Sequence, residues 1–440
     1  MAVAGETLTF PRTAGGAFCE SLNLSNNLIF SGCFMLCGRR HGSHAGNIIP
    51  REEGGGLTMS HKVLKLLALL VVAVLVASCA PATPTPAPQA TQPAAATQPP
   101  AGQVCTVGFI NHLTGDAAVY GQSMKKGVEL ALDKINANGE KIRVIFEDDR
   151  LSAADAQTAF LKLVDSDKVP VILGSGSSTV TLSLCPKAEE RKVVLISSIS
   201  TAPALKQCGD YVFSAMATDD AQGPEWAKVA EYLKADEVAV MYINNDYGIG
   251  VKDAFLNSYK GKVLIAQPFE LGAKDFRTEI LKVKATNPKV VFIVDHVAEG
   301  SIVIKQAAEL GMKVQWVTDV SMVAQEVIDL AGAAAEGIMG LRAGSTQTPQ
   351  YKEFEEAFRK KFNEPPTIWS DFSYDTMMLV AMAIDKYGCN SEGIKKGLME
   401  VSQDYVGPSG PKAFNEYGIS PGVYEWMIVK DGKWVLFEKK

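Results

Sequence analysis

Residues 104–149 read VCTVGFINHLTGDAAVYGQSMKKGVELALDKINANGEKIRVIFEDD. The apolar, β-branched run Val104–Ile110 has the character of a strand. Met124, Val128, Ala131, Leu132 and Ile135 then recur at helical spacing, and Asn138-Gly139 closes the segment. A second β-branched run, Lys141–Glu147, follows at once. A strand, a helix and a strand in so few residues make one βα unit.

Downstream the same rhythm repeats. Ser152 caps a helix expected to reach about Asp167, Val169–Leu173 and Val193–Ser197 are strand-like, and a helix is expected over Gln222–Leu233. Strands at Val238–Tyr242, Val263–Ala266, Val290–Val294 and Val314–Val317 each lead into a helical segment. Parallel strands need a crossover over the sheet, usually a helix, so this alternation predicts parallel sheets covered on both faces. A globular region of this length exceeds one compact core and is expected to form two doubly wound, Rossmann-like α/β lobes. Near the end three helices (350–363, 371–387, 391–401) precede Tyr424–Lys430 and Lys433–Phe437, and Asp431-Gly432 between those runs is a hairpin signal.

Upstream of Val104 the chain is of another kind. Leu66–Ala77 is twelve uncharged residues behind Lys62 and Lys65. That is the layout of an export signal, and it is shorter than the ~17–25 residues a membrane span needs. Ala77-Ser78-Cys79 resembles a lipobox, in which Cys79 is the lipid anchor; a plain signal peptide is the alternative. The Pro/Ala/Thr/Gln tract 79–103 cannot bury a core and fits a tether. Residues 1–58 lack periodicity, and Met59 is the expected start of translation; residues 59–78 are then the signal peptide. The expected location is outside the cytoplasm, on the outer face of the cytoplasmic membrane or in the periplasm.

A net charge of −6 argues against a nucleic-acid partner. Past Cys79 four cysteines remain, Cys105, Cys185, Cys208 and Cys389, which allow three pairings. Cys185–Cys208 is preferred because the two flank one βα connection. Cys105–Cys389 follows by elimination, with free thiols as the alternative. No residue spacing suggests a metal site or a cofactor. Gly174-Ser175-Gly176-Ser177-Ser178-Thr179 lacks the lysine of a P-loop, and neither a Gly-x-Ser-x-Gly elbow nor a metalloprotease helix is present. The chain is therefore read as a binding protein, not an enzyme.

The Gly-Ser segment does offer backbone N–H groups and the hydroxyls of Ser177 and Ser178 where a helix begins, a place that favours an anion such as a carboxylate. Ser198-Ile199-Ser200-Thr201-Ala202-Pro203 offers a second such place. Both follow strands of a parallel sheet, at the carboxyl ends where open α/β sheets bind ligands. Capping of the following helices is the competing role for each hydroxyl.

A set of motifs from Val104 to the C-terminus carries a resemblance. They are Leu113-Thr114-Gly115, Tyr120-Gly121 with Gly127, Ile135-Asn136, Glu147-Asp148-Asp149, Ile196-Ser197 with Thr201, Asp219-Asp220-Ala221-Gln222-Gly223, Tyr247-Gly248 with Gly250, Lys274-Asp275-Phe276, Ala335-Glu336-Gly337 and Tyr374-Asp375. In this order the chain resembles the type I solute-binding proteins of ABC transporters, in the leucine/isoleucine/valine-binding branch. The resemblance implies two lobes joined by a three-crossing hinge that close on a small amino acid or related amide and present it to a permease in the cytoplasmic membrane. A sensory protein of the same fold for amides, urea or aromatic acids is the alternative.

Position by position, the resemblance implies that Ser178 and Thr201 take the ligand carboxylate and that Ile199 offers its carbonyl to the ammonium. Tyr120 would wall the side-chain pocket, and Tyr247 would close over it. His296 stands where an aromatic residue is usual, and Asp319 lies within one position of the acid that neutralises the ammonium. The pair Asp295-His296 departs from the family's Gly-aromatic pattern. Lobe I is expected over 104–221 and 344–406 and lobe II over 222–343 and 407–440, with hinges near Asp219–Gln222, Ala343–Ser345 and Tyr405–Pro408.

Overall fold

The computed structural model describes residues 104–438. The expected N-terminal extension 1–58, signal peptide 59–78, linker 79–103 and anchor Cys79 lie outside those residues.

Five parallel strands form the first sheet: β1 (Cys105–Asn111), β2 (Ile142–Asp148), β3 (Val171–Gly174), β4 (Val194–Ser197) and β5 (Val212–Ser214), in the order β2-β1-β3-β4-β5. Their crossovers are the helices α1 (Ala118–Ile135), α2 (Ala153–Leu161) and α3 (Ser178–Arg191). The α2 helix stops short of the expected Asp167 and passes into a wider turn over Lys162–Ser166. Ser152 caps α2 as expected, its side chain accepting from Asp155 N.

After α4 (Asp219–Tyr232) the second sheet begins. Its strands are β6 (Glu237–Ile243), β7 (Lys262–Phe269), β8 (Val290–Val294), β9 (Gln315–Thr318) and β10 (Met339–Ala343), with β11 (Val406–Gly407) and β12 (Gly410–Pro411) forming a separate small pair. The hairpin β13 (Tyr424–Lys430) and β14 (Lys433–Leu436) completes the order β14-β13-β10-β9-β8-β6-β7, antiparallel only where the hairpin joins. Crossovers here are α5 (Asp246–Ser258), α6 (Arg277–Ala285), α7 (Val297–Glu309) and α8 (Gln325–Ala331). Trp226, Phe255 and Phe292, all fully buried, pack with ring centroids 4.4–5.6 Å apart at the centre of this lobe.

Between the two visits to the second sheet the chain returns to the first with α9 (Pro349–Phe362), α10 (Ser370–Tyr387) and α11 (Ser391–Val401). The α1 and α10 helices approach so closely that a Cβ on Gly127 would stand 2.0 Å from Ser370 O, which is why only glycine serves there. Disulfides join Cys105 to Cys389 and Cys185 to Cys208. Residues 418–420 were expected with the second lobe. In the structure they run along β5 instead, because the edge residue Ser214 donates to Gly418 O (2.9 Å) and accepts from Ser420 N (3.0 Å).

Three strands of chain pass between the sheets, and buried charge ties them together. Lys412 is 1% exposed, donates to Ala215 O at 2.9 Å and lies over the Phe372 ring. Arg342 at the end of β10 bonds Asp371 of α10 at 2.9 Å.

Candidate functional site

The cavity between the sheets is built where the first-sheet strands end. From that side come His112 after β1, Gly176, Ser177 and Ser178 after β3, and Ile199 and Thr201 after β4, with Tyr120 and Trp369. The second lobe contributes Asn245, Tyr247, His296, Val320 and Ser321. Ala117, Leu151 and Met216 complete the wall.

Ser177 is the N-cap of α3 and accepts from Val180 N. Ser178 Oγ accepts from the N–H groups of Thr201 and Ala202, both at 3.2 Å. Its lone pairs are thus engaged and its O–H remains as a donor toward the cavity. The N–H groups of Ser178 and Thr179 belong to the first turn of α3, where no intrahelical partner exists. Thr201 Oγ1 is buried and has no partner. Together these form a cluster of donors at the positive end of a helix dipole.

Ser200 is the expected site residue that turns away. Its hydroxyl donates to Ser175 O at 2.9 Å and meets Thr181 Oγ1 at 2.8 Å, inside the first lobe. Asp319 also stands behind the cavity wall. It caps the short turn Val320–Met322 by accepting from Ser321 N and Met322 N, and takes further bonds from Asp295 N and Tyr247 Oη (2.7 Å). Burial pushes its carboxyl up to about 7, against those bonds. Burial likewise drives Asp219 and Asp295 well above the usual carboxylate range. Thr201 stands near enough to Asp219 to pull the other way, but Asp219 Oδ2 and Thr201 Oγ1 both end without a hydrogen bond. Among the described residues no lysine or arginine pairs with Asp219, Asp295 or Asp319.

Aromatic rings line the other end. His112, Tyr120, His296 and Tyr247 follow one another with centroids 5.9–6.2 Å apart, the last pair stacked at 10°. Tyr120 bridges the lobes: its hydroxyl donates to Ser321 O (3.1 Å) and accepts from Val297 N (2.8 Å). Two exposed contacts also span the cleft, Thr179 Oγ1 to Asp246 and Lys274 to Asp116, each 2.7 Å. His112 is 2% exposed, and burial pushes its imidazole down to about 3, helped by His296 and opposed by Asp148.

The structure therefore brings Tyr120, Ser177, Ser178, Ile199, Thr201, Tyr247 and His296 to one cavity and sets Ser200 and Asp319 behind it. Sequence reasoning missed His112, Asn245, Ser321 and Trp369. Asn245 was the accessible one, since Asn one residue ahead of Asp246-Tyr247-Gly248 is an N-cap signal at the end of a strand.

Comparison with known proteins agrees with this architecture. A family model described as periplasmic binding protein matches residues 104–421. The chain is 28% identical over 347 residues to a Leu/Ile/Val-binding protein homolog of Brucella abortus, covering 76% of this chain and 93% of the relative. It is 26% identical to the leucine-, isoleucine-, valine-, threonine-, and alanine-binding protein of Pseudomonas aeruginosa, covering 74% of this chain and 91% of the relative. Among solved structures, the branched-chain amino acid transporter substrate-binding protein LivJ of Streptococcus pneumoniae, in complex with isoleucine, superposes with a TM-score of 0.71. It shares 28% identity over 76% of this chain and all of that one. The leucine-binding protein LivK of Thermotoga maritima gives 0.72 at 26% identity, over 76% of this chain and 98% of that one. With the fold, the interlobe cavity and a family match over most of its length in agreement, the chain belongs to the periplasmic binding protein family, an extracytoplasmic family with the type I fold.

Proposed function

We propose that this chain is the substrate-binding component of an ABC importer, which captures a small α-amino acid of the branched-chain type between its lobes and hands it to the permease in the cytoplasmic membrane. Cys79 would carry the lipid that keeps it at the membrane. The relatives' named ligands motivate the amino-acid class. The observation that carries the reading is the pairing of a free donor cluster with buried acids that lack a cation. The Ser178 hydroxyl, the first-turn N–H groups of α3 and Thr201 suit a carboxylate. Ile199 at the cavity wall offers a carbonyl suited to an ammonium group, and a positive charge there would favour ionisation of Asp219 and Asp319 buried behind the wall. A ligand with a carboxylate alone would leave those acids unanswered, and burying charge without a partner costs several kcal/mol.

Capture would proceed by hinge closure. Tyr120, Lys274 and Thr179 make their contacts across the cleft only when the lobes approach, so a ligand that touches both lobes shifts the population toward the closed form. Thermal-shift and calorimetric titration of the ligand-free protein with the twenty amino acids, small amides, urea and benzoate tests the reading. An aliphatic or small polar amino acid should raise the melting temperature strongly. A response to benzoate or urea with none to any amino acid would overturn it. Thr201→Ala should weaken binding at least tenfold with the ligand-free melting temperature little changed, because the loose approach of Thr201 Oγ1 to Asp219, short of a hydrogen bond, is all the protein itself loses.

A further inference from the structure

The aromatic end of the cavity holds two imidazoles whose polar atoms the protein itself does not satisfy. His112 is buried and lines the cavity, and its Nδ1 finds no hydrogen bond. Asp149 Oδ1, 3.8 Å away, is too far to bond it and already accepts from Leu151 N, while Asp149 Oδ2 accepts from Ser175. His296 Nδ1 is likewise covered and unpartnered, with its ring stacked on Tyr247 and edge-on to Tyr120. The two tyrosine hydroxyls between them are spent on Val297, Ser321 and Asp319. A phenylalanine at 296 could make the same ring contacts without burying an unpaired nitrogen, so stacking alone does not account for the imidazole.

Resting on the amino-acid reading above but departing from its branched-chain type at the tip of the side chain, we infer that the ligand's side chain ends in an uncharged hydrogen-bonding group, a hydroxyl or a carboxamide, which His112 and His296 receive. Both imidazoles are held neutral by burial. A neutral imidazole offers one donor and one acceptor, and a hydroxyl or carboxamide also offers both. A side-chain carboxylate could only accept, and it would sit near Asp149, Asp295 and Glu299, all at most 2% exposed. Branched aliphatic side chains would leave both imidazoles unpaired. A site built to hydrogen-bond a substrate group discriminates strongly against the analogue that lacks it.

Isosteric pairs read this directly in the unmodified protein. Threonine should bind at least tenfold more tightly than valine, and asparagine at least tenfold more tightly than leucine, by calorimetry. In His296→Phe the threonine-to-valine ratio should fall below threefold, whatever the change in valine affinity itself; circular dichroism on the variant establishes that it is folded. Valine and leucine binding as tightly as threonine and asparagine would overturn the inference and leave the amino-acid reading standing. If none of the four binds, the inference is overturned, and the titration with all twenty amino acids decides the amino-acid reading separately. A threonine preference undiminished in a folded His296→Phe would also overturn it, by removing His296 from the recognition.

Discussion

Removing the hydroxyl of Tyr120 tests whether the cleft seen here is the ligand-holding state. Tyr120→Phe keeps the ring against His112 and His296 and deletes two hydrogen bonds across the cleft, a buried one from Val297 N–H and a half-buried one to Ser321 C=O. Each neutral bond contributes about 0.5–1.5 kcal/mol net, and a buried backbone group left unpaired costs about 1–3 kcal/mol. When the lobes part, both backbone groups reach water, so the loss falls on the closed form alone. A combined penalty of about 2–4 kcal/mol, at about 1.4 kcal/mol per factor of ten, raises Kd by roughly thirtyfold to several hundredfold. Calorimetric titration with the tightest-binding amino acid measures this, and scattering from the ligand-free variant should show no loss of the folded lobes. A Kd within threefold of the unmodified protein would refute the reasoning, because it would mean that Tyr120 does not bridge the lobes when ligand is held.

The exposed bridge behaves differently: Lys274 and Asp116 are 60% and 65% exposed, so Lys274→Ala should change Kd less than about fivefold, and high salt should abolish even that; a larger effect would show the pair is shielded on closure. Replacing Cys389 by serine should destabilise the fold by up to about 5 kcal/mol and Cys208 by about 3 kcal/mol, because the closed loops span 284 and 23 residues; denaturant unfolding ranks the two, and an unchanged midpoint for either would contradict the pairing. His112 should remain neutral down to about pH 4 in the folded protein, read from its imidazole proton shift; a midpoint near 6.5 would show the ring to be solvated. Because its folded-state value is depressed, His112 contributes stability that is present above about 6.5 and is lost as pH falls toward 3. Asp319, raised to about 7, acts with the opposite sign and contributes stability that disappears as pH rises from about 4 through 7.

Local signals in the chain were easy to read because they rest on local physics. Asp431-Gly432 fixes a hairpin by its turn conformation, Ser152 caps its helix, and β-branched runs become buried parallel strands. The strand β10 (Met-Gly-Leu-Arg-Ala) escaped notice since Gly340 and Arg342 break its apolar run. Gly340 is needed for close approach to Thr318 and Val323, and Arg342 for Asp371; both are tertiary reasons. The three-residue β5 is too short to carry a pattern, and residues 418–420 pair with its edge from two hundred positions away. At the cavity, a hydroxyl after a strand was legible but its direction was not. Ser178 turns its hydroxyl to the Thr201 and Ala202 amides at the cavity wall, whereas Ser200 is drawn inward by Ser175 O. Neighbouring backbone decides between those outcomes, and sequence does not print it.

The distribution of unsatisfied atoms explains why such a cleft needs a ligand to stay shut. Eight buried side-chain atoms among the described residues lack a partner. Six of them belong to His112, Thr201, Asp219, Gln222, Asp295 and His296, which line the cavity or bond to residues that do. In an open form water would reach many of these atoms freely; closure without a ligand restricts that water, and no protein group takes its place. Against this penalty the protein sets the two bonds of Tyr120 and two exposed bridges, and the exposed ones contribute little. Closure of the empty cleft is therefore unfavourable, and a ligand that pairs the orphaned atoms reverses the balance. The energy that holds the lobes together then comes from the same hydrogen bonds that recognise the ligand, so a molecule leaving several of these atoms bare should bind weakly and also fail to produce the closed shape that a permease would meet.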